Sequence, residues 1–430
     1  DRDASATRCA TPVALKPLAA STDARVKAAL AASGFNATGV AHLVALASRS
    51  DCTIDALRVA LGLLSWFLRA NAATIDALAT APTLQALGVA ARRDGEARGR
   101  MLLMMNNSFA VAPEASHPAI AAALLAAPAA AAVVAEAPLS GSVGELALNF
   151  ATIMARTVRH GPAGPARAAF AAATARRIPE LLAAVRGNAD WLHFLFIHLR
   201  DGIACRHADA SPIAGSRPLL SAAVDVIVGT HAAAAASREC LHAALYFVSS
   251  AAWYSSAQAM LSWRSQPRLT AALAMHTQSA DAGVAGAAMS GAASLSTWDD
   301  GHAAAYAAAP GALAAVMRRL RDRSTGDEKH KARSFAGLAL AALARYPPLL
   351  QLHPATRGGA ALDAVCASLR EAPALDVLSQ RFHTGALWAM AAWGEEARDR
   401  IVGAPGAITA RKRCAAVIAK GAPTTATAAR

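Results

Sequence analysis

KARSFAGLALAALARYPPLLQLHPATRGGAALDAVCASLRE, residues Lys331 to Glu371, decides the fold. Its first part, Ala332 to Ala344, reads as a helix. Phe335, Leu338, Leu340 and Leu343 recur at about three- and four-residue intervals, which makes one side apolar. A short helical piece follows at Leu349 to Pro354, and Gly358–Gly359 opens another helix that runs to Leu369. A unit this small cannot bury its apolar side alone, so it needs neighbours of the same kind.

The neighbours carry a common junction, a Gly or Pro that opens a short amphipathic helix. It occurs at Gly39, Pro82, Pro128, Pro179, Pro218, Pro267, Pro310, Gly358 and Pro405, with spacings of 43, 46, 51, 39, 49, 43, 48 and 47 residues. Pro at the start of a helix fixes φ and gives up no needed N–H, so the marker has a physical cause. A longer helix lies between markers, for example Ala56 to Leu68, Leu146 to Val158, Trp191 to Leu199, Leu241 to Trp253, Val284 to Trp298 and Gly385 to Trp393.

Composition agrees with a helical chain. Hydrophobic residues make up 55% of the 430, yet aromatics only 5%, because much of the apolar content is alanine, the best helix former. Alternating β-branched runs that would mark strands are absent from the sequence. The net charge of +13 points to an acidic partner such as nucleic acid or an anionic surface. Of the 42 basic residues 36 are Arg, a bias that GC-rich coding also produces. Cys9, Cys52, Cys205, Cys240, Cys366 and Cys414 show no pairing pattern and suggest a reducing compartment. The start at Asp1 fits a processed chain or a trimmed one, and Asp1 to Ala20 has no signal-peptide pattern. The longest apolar run, Ala119 to Ala135, is broken by Pro128 and too weak to span a bilayer.

A short helix, a Gly or Pro, a second helix and a long third helix in each unit of about 40–47 residues resemble the armadillo repeat, with the HEAT repeat as the near alternative. AAAPGALAAVMRRL (Ala307 to Leu320) and IVGAPGAITA (Ile401 to Ala410) are most similar to the turn into that family's second helix. The resemblance implies an all-α, right-handed superhelical solenoid of about eight to nine three-helix repeats, whose third helices line a concave groove for partners. The resemblance covers about Ala37 to Ile418, and the repeat array is expected over residues 22–420, with an N-terminal extension at 1–21 and a flexible tail at 421–430. Nuclear-import receptors of the family carry Trp with Asn four residues later. Here Ala70 follows Trp66 and Ala392 follows Trp388, so basic cargo peptides are not expected. The third helices also lack a regular ladder of Lys and Arg for acidic extended peptides.

The densest charge run is Arg318, Arg319, Arg321, Arg323, Lys329, Lys331 and Arg333, with His330, interrupted by Asp322, Asp327 and Glu328. It is expected on an exposed ridge between a second helix and the next third helix. Arg92–Arg93, Arg176–Arg177 and Arg411–Lys412–Arg413 stand at comparable helix ends, where the dipole favours cations. Together they are the candidate basic stripe for RNA phosphates, and a solvated, internally paired surface is the competing reading. Trp66, Trp253, Trp298, Tyr346 and Trp393 fall near the ends of third helices and read as packing between units.

Catalytic and metal signatures are weak. Cys205, His207 and Asp209 alternate without the second cluster that zinc requires. Asp299, Asp300, His302, Glu395 and Glu396 read as loop and helix-start residues. No GxSxG, P-loop or HExxH pattern occurs. The reading is a non-enzymatic scaffold without a cofactor. It would be a structural subunit of a large assembly, most concretely an organellar ribonucleoprotein such as a mitochondrial ribosome, binding proteins and rRNA. The alternatives are a protein-only cytoskeletal or axonemal adaptor in the cytoplasm, and an accessory subunit of an organellar membrane complex.

Overall fold

The computed structural model describes residues 35–70, 74–139, 145–203, 211–234, 237–254, 267–324, 326–370 and 377–403. The expected extension at 1–21, the tail at 421–430, the marker Pro405, the basic group Arg411–Lys412–Arg413 and the trio Cys205, His207 and Asp209 lie outside these residues.

Every regular element among the described residues is a helix. The chain parts into two compact units, 1–219 and 220–430. The first begins with α1 (Phe35–Ala47) and α2 (Ile54–Ala70). A three-helix cycle then recurs as α3 (Thr74–Leu78), α4 (Ala81–Ala91) and α5 (Gly95–Val111), and as α6 (His117–Leu125), α7 (Pro128–Glu136) and α8 (Glu145–His160). It recurs again as α9 (Pro165–Ala175), α10 (Ile178–Val185) and α11 (Ala189–Ile203), followed by the short α12 (Ser211–Ala214). The helix α13 (Arg217–Val228) starts at the boundary and leads to α14 (Arg238–Tyr254). The second unit continues with α15 (Pro267–Thr277), α16 (Ala282–Ser296), α17 (Asp300–Ala308), α18 (Ala312–Arg321) and α19 (Asp327–Leu343). It closes with α20 (Pro347–Gln351), α21 (Ala360–Arg370), α22 (Val377–Ala391) and α23 (Glu395–Gly403).

Packing follows the repeat. In the first unit the third helices stack in order, α2 on α5, α5 on α8 and α8 on α11, while α4 packs on α7. In the second unit α14 packs on α16, α16 on α19 and α19 on α22, and the second helices α15, α18 and α21 form a parallel row. Each unit is therefore a helical-repeat stack in which, among the described residues, apolar faces are buried mainly by the repeat before or after them. The fold is an all-α solenoid built from such cycles, as the spacing of the markers implies.

The markers sit where helix chemistry wants them, with one exception. Pro82, Pro128, Pro179, Pro218 and Pro267 occupy the first two positions of α4, α7, α10, α13 and α15, and Pro310 and Gly358 fall just ahead of α18 and α21. Gly39 does not open a helix. It is the fifth residue of α1, buried in its interior. The Lys331–Glu371 stretch also shifts. Its first helix begins at Asp327 rather than Ala332, because Asp327 and Glu328 fill the first turn, where the helix dipole favours acids. Its short piece begins at Pro347 and ends at Gln351.

Two glycines set how close the helices come. A Cβ on Gly88 of α4 would lie 2.3 Å from the backbone nitrogen of Ala130 in α7, so only glycine permits that approach. In the second unit a Cβ on Gly286 of α16 would meet Ala332 Cα at 3.0 Å. The helix α16, AGVAGAAMSGAASLS, is buried from Gly283 to Ser296. Its serines do not go unsatisfied, since Ser290 Oγ lies 2.6 Å from Ser249 Oγ and Ser294 donates to the Ser290 carbonyl.

No described helix is long and apolar enough to cross a membrane. The pair carrying the longest apolar run bends by 96° between Leu125 and Pro128.

Candidate interaction site

The arginine pairs at the ends of second helices were the candidate basic stripe, and the structure divides each pair. One member turns back to the preceding repeat. Arg93 Nη2 donates to the Cys52 carbonyl at 2.6 Å. Arg177 donates to the Ala135 and Ala137 carbonyls at 2.6 and 3.1 Å and pairs with Glu180. Arg319 donates to the Ser279 and Ala280 carbonyls at 2.7 and 2.9 Å. Each acceptor lies at or after the C-terminal end of the previous second helix, 39 to 42 residues earlier in the chain. Helix ends leave carbonyls without intrahelical partners and carry partial negative charge, so a guanidinium fits there. These three arginines clamp repeat to repeat.

The other members, Arg92, Arg176 and Arg318, are exposed. Arg176 bonds only its own helix, through the Ala172 carbonyl. In the second unit Arg318 and Arg321 both point away from the buried side of α18, which is formed by Leu313, Val316, Met317 and Leu320. Neither has a hydrogen bond or ion pair with a described residue. They line an open groove of about 920 Å³ together with Gln278, Ala314, Arg319 and Ala355. Asp322 at its edge is held below the usual carboxylate range, first by hydrogen bonds from the Ser324 side chain and backbone. Arg323 is exposed, and Lys329 and Lys331 are exposed on the first turns of α19. Arg333 departs from the expected ridge. It is 5% exposed, because its place in the helix turns it inward beside Ala332 and Ser334.

Two of the aromatic residues at the third-helix ends, Trp393 and Tyr346, bond between repeats. Trp393 Nε1 donates to the Ala344 carbonyl at 2.8 Å, and the Tyr346 hydroxyl reaches the Ser296 carbonyl at 3.2 Å and Asp300 at 2.6 Å. The Asp300 carboxylate and burial push the Tyr346 hydroxyl up, burial being the larger cause. Asp299 caps α17 by accepting from Gly301 N, and Glu395 and Glu396 sit in the first turn of α23. Trp66 and Trp253 are half-buried, and Trp298 is 37% exposed.

A second feature has no motif to mark it. On the third helices of the second unit, a row of half-buried rings runs from His242 through Tyr246 and Phe335 to Phe382. The centroid distances are 4.8, 5.9 and 6.2 Å. Tyr246 of α14 meets Phe335 of α19 over α16, whose glycine and alanine residues leave no bulk between them. Arg238 spans the same gap, pairing with Asp281 and reaching Glu328 at 3.2 Å. On α22, Trp388 is 78% exposed.

In the first unit the end of α5 is capped by charge. Arg156 Nη1 donates to the Phe109 carbonyl at 2.6 Å, and His117 Nε2 lies 2.9 Å from the same oxygen and 3.2 Å from Arg156. The His160 ring packs edge-on at 5.2 Å from His117. Burial, then the Arg156 charge, pushes His117 down; burial leads for His160 and His198 as well. Among the described residues no group of three or more His, Cys, Asp or Glu side chains could hold a metal ion.

No known protein-family model matches the chain, and no curated protein matches it. Solved structures similar to it include an engineered protein at 17% identity and TM-score 0.49, covering 88% of this chain and 94% of that one. The UNC-45 chaperone, solved for its binding and folding of muscle myosin, matches at 13% identity and TM-score 0.46, over 95% of this chain and 47% of its own. A chain from a structure of the cadherin–β-catenin interaction matches at 12% identity and TM-score 0.43, over 97% and 92%.

Proposed function

We propose that the chain is a non-enzymatic scaffold of armadillo-type repeats, a structural subunit that holds partner proteins along its third helices. The observation that carries this reading is the ring row Tyr246–Phe335–Phe382 with the 78% exposed Trp388 on the helix that ends it. Aromatic side chains supply large contact area at low entropic cost and dominate the energetics of protein interfaces. The test places a photo-crosslinking amino acid at Trp388 and, separately, at the exposed Arg176, in the native assembly. Defined partner bands from position 388 and none from 176 support the scaffold, and bare chain at both positions overturns it.

The ribonucleoprotein version, with an organellar home, is favoured by one further observation. Arg92, Lys329 and Lys331 remain exposed after the clamps have taken Arg93, Arg177 and Arg319. Each phosphate contact adds salt-dependent affinity, so RNA binding that weakens steeply with salt supports this version. No RNA binding at low salt removes it and leaves a protein-only adaptor.

A further inference from the structure

We infer that the groove beside Arg318 and Arg321 is a second docking site, specific for a short acidic peptide segment that carries an apolar residue. It lies on second-helix ends, apart from the third-helix row, and draws on the scaffold reading only in taking the partner to be a protein.

Three observations fit together. First, Arg318 and Arg321 stand three residues apart on the solvent side of α18, where like charges repel. A bound carboxylate relieves that repulsion, and guanidinium groups pair with carboxylates through two parallel hydrogen bonds. Second, the groove is preformed. Arg319 is tied to the Ser279 and Ala280 carbonyls, and Gln278 Nε2 donates to the Pro310 carbonyl at 2.9 Å, so the wall between the two repeats is fixed before any ligand arrives. Third, the rest of the lining is largely apolar, with Ala280, Ala314, Met317 and Ala355, and the Asp322 carboxylate beside them is already engaged by Ser324 and by Arg319 at 3.9 Å; Leu352, in the same loop as Ala355, is 79% exposed. Carboxylates for the two arginines and one apolar side chain for this wall describe a peptide.

RNA fits the groove less well. A phosphate track needs cations in series, and the neighbouring second-helix arginine Arg319 is spent on carbonyls. No aromatic ring lines the groove to stack a base.

The experiment titrates the full chain with a fluorescent twelve-residue Glu-rich peptide containing one Leu, and in parallel with an oligouridine. The expected result is peptide binding that weakens with salt, falls at least tenfold in the double variant Arg318→Glu/Arg321→Glu, and stays unchanged in Arg92→Glu/Arg176→Glu. A second variant, Ala314→Trp, fills the groove without changing charge and is expected to weaken the peptide as well. Unaltered peptide affinity in both groove variants, or oligouridine binding that depends on Arg318 and Arg321 while the peptide does not bind, overturns the inference. Crosslinking from Trp388 is independent of these variants, so loss of this site leaves the scaffold reading standing and the converse also holds.

Discussion

The two units share a repeat plan but seal the ends of their third helices with different chemistry. In the first, the end of α5 is closed by Arg156 and His117 converging on the Phe109 carbonyl, with His160 against them. In the second, the ends of α16 and α19 are closed chiefly by neutral aromatic donors, Tyr346 on Ser296 and Trp393 on Ala344, with Arg345 adding a bond to Thr297. The spacing is close to one repeat in both: 47 residues from Phe109 to Arg156 and 48 to 50 in the second unit. One geometric task, satisfying the last carbonyls of a buried helix, has a titratable answer and a largely pH-indifferent one. The tight spots differ in part. Third helices approach alike in both units, Gly202 on Ala155 Cα and Gly286 on Ala332 Cα each at 3.0 Å, and the first unit adds a closer approach between second helices at Gly88.

The sharpest way to break this comparison is at the glycines. Gly88→Leu puts side-chain atoms into the backbone of Ala130 and is expected to cost about 3 kcal/mol or more in urea unfolding of the first unit. Gly286→Ala, with 3.0 Å to Ala332 Cα, should cost about 1 kcal/mol in the second, and Gly99→Ala, with nothing within 4 Å, should be neutral or stabilising. Equal effects at all three would mean that the helices do not approach as described.

Next in size is the clamp. Arg177→Ala removes charge-assisted bonds to two buried-end carbonyls and should cost about 2 kcal/mol, whereas Arg176→Ala, its exposed neighbour, should stay within about 0.5 kcal/mol. Thermal melts of the two variants separate the roles within one arginine pair.

Acid sharpens the comparison further. His117, His160 and His198 have folded-state values below the ordinary 6.5, so the unfolded chain binds more protons as pH falls past that value. Stability is therefore full above about pH 7.5 and declines below about 6.5, until the folded-state values are passed. The groups facing them are Arg156, Arg159 and His193, which add to the effect, and Glu114 and Asp201, which oppose it. Protection factors at the end of α5, corrected for the intrinsic exchange rate, should fall as pH is lowered from 7.5 to 5.5, and those at the ends of α16 and α19 should not. His117→Gln should flatten the response. A modest effect is expected from Tyr346→Phe, which loses the hydroxyl bonds to Ser296 and Asp300 and should cost less than about 1 kcal/mol in thermal melts.

Much of the architecture was legible because its causes are local. Pro82, Pro128, Pro179, Pro218 and Pro267 mark helix starts by their own geometry, and the apolar period of Phe335 to Leu343 reports a buried face wherever it lies. Gly39 misled, since a glycine inside a helix and one before it look alike in one sequence. The helix α5, GEARGRMLLMMNNSFAV, carries no clear marker because Arg98, Arg100 and Asn107 interrupt its apolar pattern. The site was less legible for a reason of range. The acceptors of Arg93, Arg177 and Arg319 are main-chain carbonyls some 40 residues away, which any residue could provide, so nothing in the letters separates a clamp from a free charge. The row Tyr246–Phe335–Phe382 joins three helices across the small residues of α16, and no periodicity in the sequence links residues 89 apart.

The central claim is that each repeat is held by the one before and the one after. Leu340 is fully buried in α19, so Leu340→Asp should unfold that helix locally. Hydrogen exchange of the full chain, variant against parent, measures how far the damage spreads. The account predicts lost protection in α19 and weakened protection in α16 and α22, the helices it packs against, while α5 of the first unit keeps its own. Unchanged protection in α16 and α22, or uniform loss from α5 to α22, would contradict it.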